Sequence, residues 1–341
     1  MKWASAESCR VIDSEGREYI DLSGGFGVAA LGHRNAEVVA AIRAQAERCV
    51  HALGDLAEAD VAAEVRCQLS LGGHAVMLGV TGEDAVEIAL RTALLVTGRP
   101  GIVAFTGAYH GTGLLALAAT GFEHFREPFR AWLPGPVHRF EYGEDPGPLP
   151  ADAGCVIVEP VQGRGGARVP PDGFLERLRQ RCDDAGALLI ADEIYTGVGR
   201  TGSMWRSGGA ADLLTVGKAL GGGLPLSACL MRPEHAEAWR LGPEDVYTHT
   251  HIGNPLACAA ALVVLERVPG LLGRVREAGA RFETAGWRGV GLLRAKPGDA
   301  FAAWERGVIV VPAGEDGSLM SATPPLTITD EEIDEALERI G

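Results

Sequence analysis

The chain contains no Cys-x-x-Cys pair, and its seven cysteines are scattered through 341 residues. That spacing signals neither a zinc site nor a disulfide framework, so a reduced, cytoplasmic setting is expected. Positive charge is also scarce. Lysine and arginine total 31 against 45 acidic residues, for a net charge of −14. Nucleic acid is thereby excluded as the main partner, because binding phosphates requires a basic face. An anionic substrate would need a local arginine. No uninterrupted apolar run approaches the length that spans a bilayer, and residues 1–5 lead into polar sequence instead of a signal core. No membrane partner is expected, and no fixed-period repeat divides the chain.

What is present is an ordinary soluble composition, 47% hydrophobic and 22% charged, with 47 glycines suited to tight turns and close packing. The length favours two domains over one. Residues 9–22 read as a hairpin around Asp13-Ser14-Glu15-Gly16, followed by a glycine-rich turn at 24–27. Asn35 caps a helix, and a second helix covers about residues 58–69. From residue 75 strands and helices alternate, which predicts an α/β fold with a mainly parallel, helix-covered sheet. Its strands are expected at 75–80, 102–105, 155–158, 187–191, 213–216 and 227–231, with a helix at about 174–185. Residues 121–150, rich in proline, glycine and arginine, read as a surface excursion. A long alanine-rich helix is expected to reach about residue 267. Beyond it, strands at 291–293 and 308–311, a helix near 299–306 and a terminal helix from Asp330 suggest a small α+β unit. The expected division is 1–50 as the N-terminal part of the small domain, 51–267 as the large domain and 268–341 as the C-terminal part of the small domain.

Two residues organise the candidate site. Asp192 closes the apolar run 187–191, and ligands gather at the ends of such buried parallel strands. Lys218 follows the apolar run 213–216 and is bracketed by Gly217 and Gly221-Gly222-Gly223, where backbone can approach a ligand closely. Desolvation lowers an ammonium's pKa and frees the neutral amine for Schiff-base chemistry, while a strand-end carboxylate can hold a pyridinium nitrogen protonated. That combination suits pyridoxal phosphate. A phosphate site is expected where strand 75–80 turns into a helix: Thr81 caps the helix, and the N–H groups of Gly82 and Glu83 point outward along its dipole. Tyr109, just past strand 102–105, is placed to stack on a planar ring.

With these parts together, the chain resembles the class III pyridoxal-phosphate-dependent aminotransferases, of fold type I, nearly from end to end. The matching segments are Tyr109-His110-Gly111, Glu159-Pro160-Val161-Gln162-Gly163, Asp192-Glu193 followed by Thr196-Gly197-Val198-Gly199-Arg200-Thr201-Gly202, Gly217-Lys218-Ala219-Leu220-Gly221-Gly222-Gly223, and Gly253-Asn254-Pro255-Leu256-Ala257-Cys258-Ala259-Ala260. The resemblance implies that Lys218 is the Schiff-base lysine and proton shuttle and that Asp192 pairs with the pyridine nitrogen. It further implies that Tyr109 stacks on the ring, that Thr81, Gly82 and Glu83 form the phosphate loop, and that His110, Glu159 and Tyr195 also contact the cofactor. Thr250 matches the threonine that reaches the neighbouring subunit's cofactor phosphate, so a homodimer is implied. The implied reaction is ping-pong transfer of an amino group from a small-molecule amino donor to an oxo-acid acceptor. A racemase or epimerase of the same class would use the same Lys218 and Asp192.

The departures from the family pattern lie around the cofactor edge and the substrate. Tyr195 stands where members often have glutamine. Glu83 stands where serine or threonine is common, so its N–H is expected to help and its carboxylate to turn away from the phosphate. Thr112 replaces an arginine typical of members acting on amino dicarboxylates or ornithine derivatives. Arg164 and Ser321 replace the glutamate and arginine that many members pair. Candidate substrate residues are therefore Arg164, whose guanidinium suits bidentate carboxylate recognition, with Thr112 and His249. Residues 294–301 offer little room for the strands that many members place in this part. Two rival motifs fail on context. The GxGxxG of residues 197–202 is followed by glycine-rich sequence and no Rossmann-type helix, and His249-x-His251 lacks further ligands, so no metal is expected.

Overall fold

The computed structural model describes residues 1–54, 57–70, 73–242 and 246–341. The chain enters through three antiparallel strands, β1 (Trp3–Glu7), β2 (Arg10–Asp13) and β3 (Glu18–Asp21). The expected hairpin is β2 and β3, its turn tightened by the Asp13 carboxylate, which accepts from the N–H groups of Glu15 and Arg17 at 2.9 and 3.0 Å. Strand β1 is an addition to that reading. Its residues are nearly all exposed, so no apolar alternation marks it.

The large sheet comprises β4 (Ala75–Gly79), β5 (Gly101–Phe105), β6 (Val137–Phe140), β7 (Ala153–Val158), β8 (Leu188–Asp192), β9 (Leu213–Val216) and β10 (Ser227–Met231). Their order is β4-β10-β9-β8-β7-β5-β6. Strand β10 runs antiparallel to both neighbours, and the other pairs are parallel. Strands β5, β7, β8, β9 and β10 are buried along their whole length, which is why each appears in the sequence as a continuous apolar run. Strand β6 corrects the expectation for residues 121–150: this half-buried edge strand, Val-His-Arg-Phe, interrupts the supposed surface excursion. A one-sided edge position does not demand an apolar run, so its sequence carries little sign of it.

Helices Gly82–Thr97 and Phe174–Ala185 cover the sheet, and helix Pro255–Arg267 packs against helices Ala36–Arg48 and Asp60–Leu69. The helical stretch from Pro255 to Thr284 is long and apolar enough to match a membrane span by length and composition. In the fold, however, Ala257, Cys258, Ala260, Ala261 and Val264 are core residues, and a 3-10 turn at Val268–Leu271 interrupts the stretch.

The C-terminal strands are β11 (Arg288–Val290), β12 (Leu293–Pro297), β13 (Val308–Ile309), β14 (Val311–Ala313) and β15 (Leu319–Ala322). Four of them form a sheet in the order β11-β12-β15-β14, while β13 pairs in parallel with β3. Residues 294–301 therefore do accommodate a strand, because a short antiparallel pairing with β15 needs few residues. The single strand expected at 308–311 is in fact two. Between them the Val310 carbonyl accepts from the Trp304 indole N–H at 2.6 Å, and the chain passes from one sheet to the other. The terminal helix, Asp330–Ile340, starts as expected, with a capping box between Thr329 and Glu332. Arg200 ties these parts together: its buried guanidinium donates to the carbonyls of Leu292 and Gly27 at 3.3 and 3.4 Å, and to that of Pro324.

Candidate active site

A cavity of about 470 Å³ opens beyond the carboxyl ends of β4, β5, β7, β8 and β9. Each strand delivers a different group. Thr81, Gly82 and Glu83 follow β4, Tyr109 and His110 follow β5, Glu159 follows β7, Asp192 ends β8 and Lys218 follows β9, and all of them line the cavity.

Asp192 is held from two sides. Its Oδ2 lies 2.7 Å from His110 Nδ1, and its Oδ1 accepts from Ile194 N–H at 3.1 Å and from the Thr215 hydroxyl at 3.2 Å. A carboxylate has about four lone-pair sites, so it can accept a further donor from the cavity. His110 Nε2 is buried and has no hydrogen-bond partner among the described residues. An unpaired buried polar atom is costly, and here it borders the space where a polar ligand would sit.

Lys218 takes a left-handed backbone conformation, φ 42°, of the kind that rigid functional sites impose on non-glycine residues. Its Nζ lies 3.9 Å from the centroid of the Tyr195 ring. Burial lowers the ammonium to about 8, against the opposing attraction of Asp192 and Glu159. Glu159 accepts from the N–H groups of Tyr109 at 2.9 Å and Gly163 at 3.1 Å, and burial pushes its carboxyl up to about 7.

The start of helix Gly82–Thr97 has the expected cap. Thr81 accepts from Asp84 N–H, and the Asp84 carboxylate accepts from the N–H groups of Val80 and Thr81, both at 2.9 Å. The N–H groups of Gly82 and Glu83, at the first turn, have no intrahelical acceptor and are available to an anion. The Glu83 carboxylate is engaged elsewhere: its Oε2 accepts from Thr112 N–H at 2.9 Å, the Thr112 hydroxyl at 3.1 Å and Gly113 N–H at 3.0 Å. This arrangement answers the repulsion expected of an acid beside a phosphate.

Tyr195 fills space made by glycine. A Cβ on Gly163 would lie 2.0 Å from the Tyr195 ring, so no larger residue fits there without moving it. The Tyr195 hydroxyl lies 3.3 Å from Thr323 Oγ1. Arg164 also lines the cavity, its guanidinium 4.9 Å from the ring centroid of Tyr109 and 4.8 Å from that of Phe125.

Three of the residues singled out in the sequence are not brought into this cavity. Thr112 is exposed and bonded to Glu83, and His249 and Thr250 are exposed on a separate loop, where His249 packs 5.2 Å from the Tyr247 ring. Conversely, Phe26, Ile194 and residues 311–313 line the cavity without having been singled out. Phe26 had a cue in the glycine turn around it, where its own φ is 60°. Val311, Pro312 and Ala313 arrive from the C-terminal sheet and carry no local signature of a site.

The donor set fits a phosphorylated pyridine aldehyde. A partly desolvated amine, a braced carboxylate, a helix start with free N–H groups, an aromatic wall and an unpaired imidazole nitrogen all face one space.

A family model described as Aminotransferase class-III matches residues 2–285. The acetylornithine aminotransferase of Methanopyrus kandleri is 40% identical over 276 residues, spanning 77% of this chain and 69% of that protein. The 4-aminobutyrate aminotransferase of Escherichia coli is 34% identical over 395 residues, spanning 98% of this chain and 91% of that protein. Among solved structures, the ornithine aminotransferase of Toxoplasma gondii, in which PLP partially occupies the active site, matches with a TM-score of 0.91 at 29% identity, covering 99% of this chain and 89% of that one. Nothing in these comparisons favours a racemase or epimerase.

Proposed function

This chain belongs to the class III aminotransferases, and from that premise we propose that its cavity binds pyridoxal phosphate and transfers an amino group from an amino acid or amine to a 2-oxo acid. The observation that supports this reading most is the convergence of a desolvated amine, Lys218, and a braced strand-end carboxylate, Asp192, on one cavity. When bound, the cofactor's protonated pyridine ring supplies an electron sink, which lets the substrate carbon lose and regain a proton.

The protein's own groups do the rest. Lys218 Nζ anchors the cofactor and carries the proton to and from the substrate carbon, a role suited to an amine that titrates near 8. Asp192 keeps the ring nitrogen protonated, with His110, Ile194 N–H and Thr215 fixing its orientation. Tyr109 would pack against the cofactor ring and Thr81, Gly82 and Glu83 would hold its phosphate, while Glu159 braces the turn that presents Tyr109 and Gly163. Tyr195 covers Lys218 where a glutamine would otherwise contact the cofactor. The donor leaves as an oxo product, and the acceptor leaves as the new amino acid. We read the working form as a cytoplasmic homodimer in which the exposed Thr250, with His249 beside it, reaches the neighbouring subunit's site. The large cofactor-binding unit is taken as residues 51–267.

The test is a half-reaction. Holoprotein is mixed with single amino donors and no acceptor, and the visible absorption of the bound cofactor is followed together with the products. Amino transfer predicts loss of that absorption with one oxo product per cofactor. Loss of optical activity without any oxo product would instead show racemisation.

A further inference from the structure

The Arg164 guanidinium lines the cavity as a half-buried cation. Among the described residues its side chain makes no hydrogen bond and no ion pair, only its contacts over the Tyr109 and Phe125 rings. The carboxylates lining the same cavity bond to other groups and not to Arg164: Asp192 to His110, Ile194 N–H and Thr215, Glu159 to the N–H groups of Tyr109 and Gly163, and Glu83 to Thr112 and Gly113. A cation so placed calls for an anion from outside the protein.

A second group points the same way. Ser321 on β15 lines the cavity at 2% exposure, and among the described residues its hydroxyl has no hydrogen-bond partner. Both residues belong to one wall. The Arg164 carbonyl accepts from Gly314 N–H at 2.9 Å, just past β14, and Ser321 pairs with Val311 of β14 in the sheet register. A forked guanidinium and an unpaired hydroxyl together match the two oxygens of a carboxylate.

We infer that Arg164 and Ser321 form the substrate-carboxylate receptor, so that this enzyme takes carboxylate-bearing amino and oxo acids in preference to uncharged amines. The inference rests on the amino-transfer reading for its biological meaning, but the receptor can be tested without turnover. Holoenzyme is titrated calorimetrically with glutarate, an unreactive dicarboxylate, for wild type, R164M, R164K and S321A. R164M, which preserves bulk against Tyr109 and Phe125, weakens glutarate binding by roughly 10–100-fold. R164K falls between, since it retains the charge and loses the fork, and S321A loses a few-fold. The ratio of kcat/KM for a carboxylate-bearing donor over an uncharged amine of equal length falls in R164M by a similar factor, carried by KM. Equal glutarate binding in wild type and R164M, or a loss of cofactor affinity in R164M with glutarate binding and the donor ratio unchanged, overturns the inference. Arg164-dependent glutarate binding in an enzyme that converts no donor leaves the receptor standing and removes the amino-transfer reading.

Discussion

Lys218 loses hydration where its amine packs against the face of Tyr195, and burial outweighs the pull of Asp192 and Glu159 to leave it near 8. The sign of this shift sets a pH dependence. The neutral amine is the reactive form, and its fraction grows as pH rises until the group's own pKa is passed. Cofactor capture by the apoprotein is therefore expected to accelerate about tenfold per pH unit below about 8 and to level off above it. Stopped-flow absorbance between pH 6 and 10 measures this, and a rate still climbing beyond pH 9.5 would mean that burial does not govern the amine. That Asp192 and Lys218 stand at strand ends was legible because each comes at the close of an apolar run, with glycines bracketing Lys218. The position of the Tyr195 ring was not, because a ring over an amine is a tertiary contact that spacing does not encode.

At the scale of elements, the turn after β7 depends on Gly163 lacking a side chain. A methyl group there would meet the Tyr195 ring at 2.0 Å. Gly163→Ala is expected to cost about 1–3 kcal/mol as the ring is driven off its place over Lys218. Combined with Tyr195→Ala, the loss should be smaller than the sum of the two, because one clash cannot be paid twice. Denaturant melts of the single and double variants check this, and simple additivity would show that the two positions do not touch. Strands β5, β7, β8 and β9 are covered on both faces, so their composition alone reveals them. The exposed β1, the edge strand β6 and the division of residues 308–311 between two sheets left no such trace, since pairing partners decided them.

Across the whole molecule, the cavity is closed by segments far apart in the chain: Phe26 from the turn after β3, and residues 311–313 from the C-terminal sheet. Arg200 links these regions through carbonyls of Gly27, Leu292 and Pro324. The exposed Thr250 lies outside this chain's own cavity, which is the arrangement expected if it serves a neighbouring subunit. Sedimentation at micromolar concentration is predicted to give a dimer, and Thr250→Ala to weaken cofactor retention several-fold in a protein that remains dimeric. A monomer that is fully active would contradict the shared site.

The proposed chemistry depends on Lys218 carrying the cofactor. The chain holds three lysines, Lys2, Lys218 and Lys296, so the point can be settled cleanly. Holoprotein reduced with borohydride and digested should yield a phosphopyridoxyl mass increment on the peptide containing Lys218, absent from Lys218→Ala. An increment on Lys2 or Lys296, or none at all in a protein that has bound the cofactor, would show that Lys218 is not the attachment point.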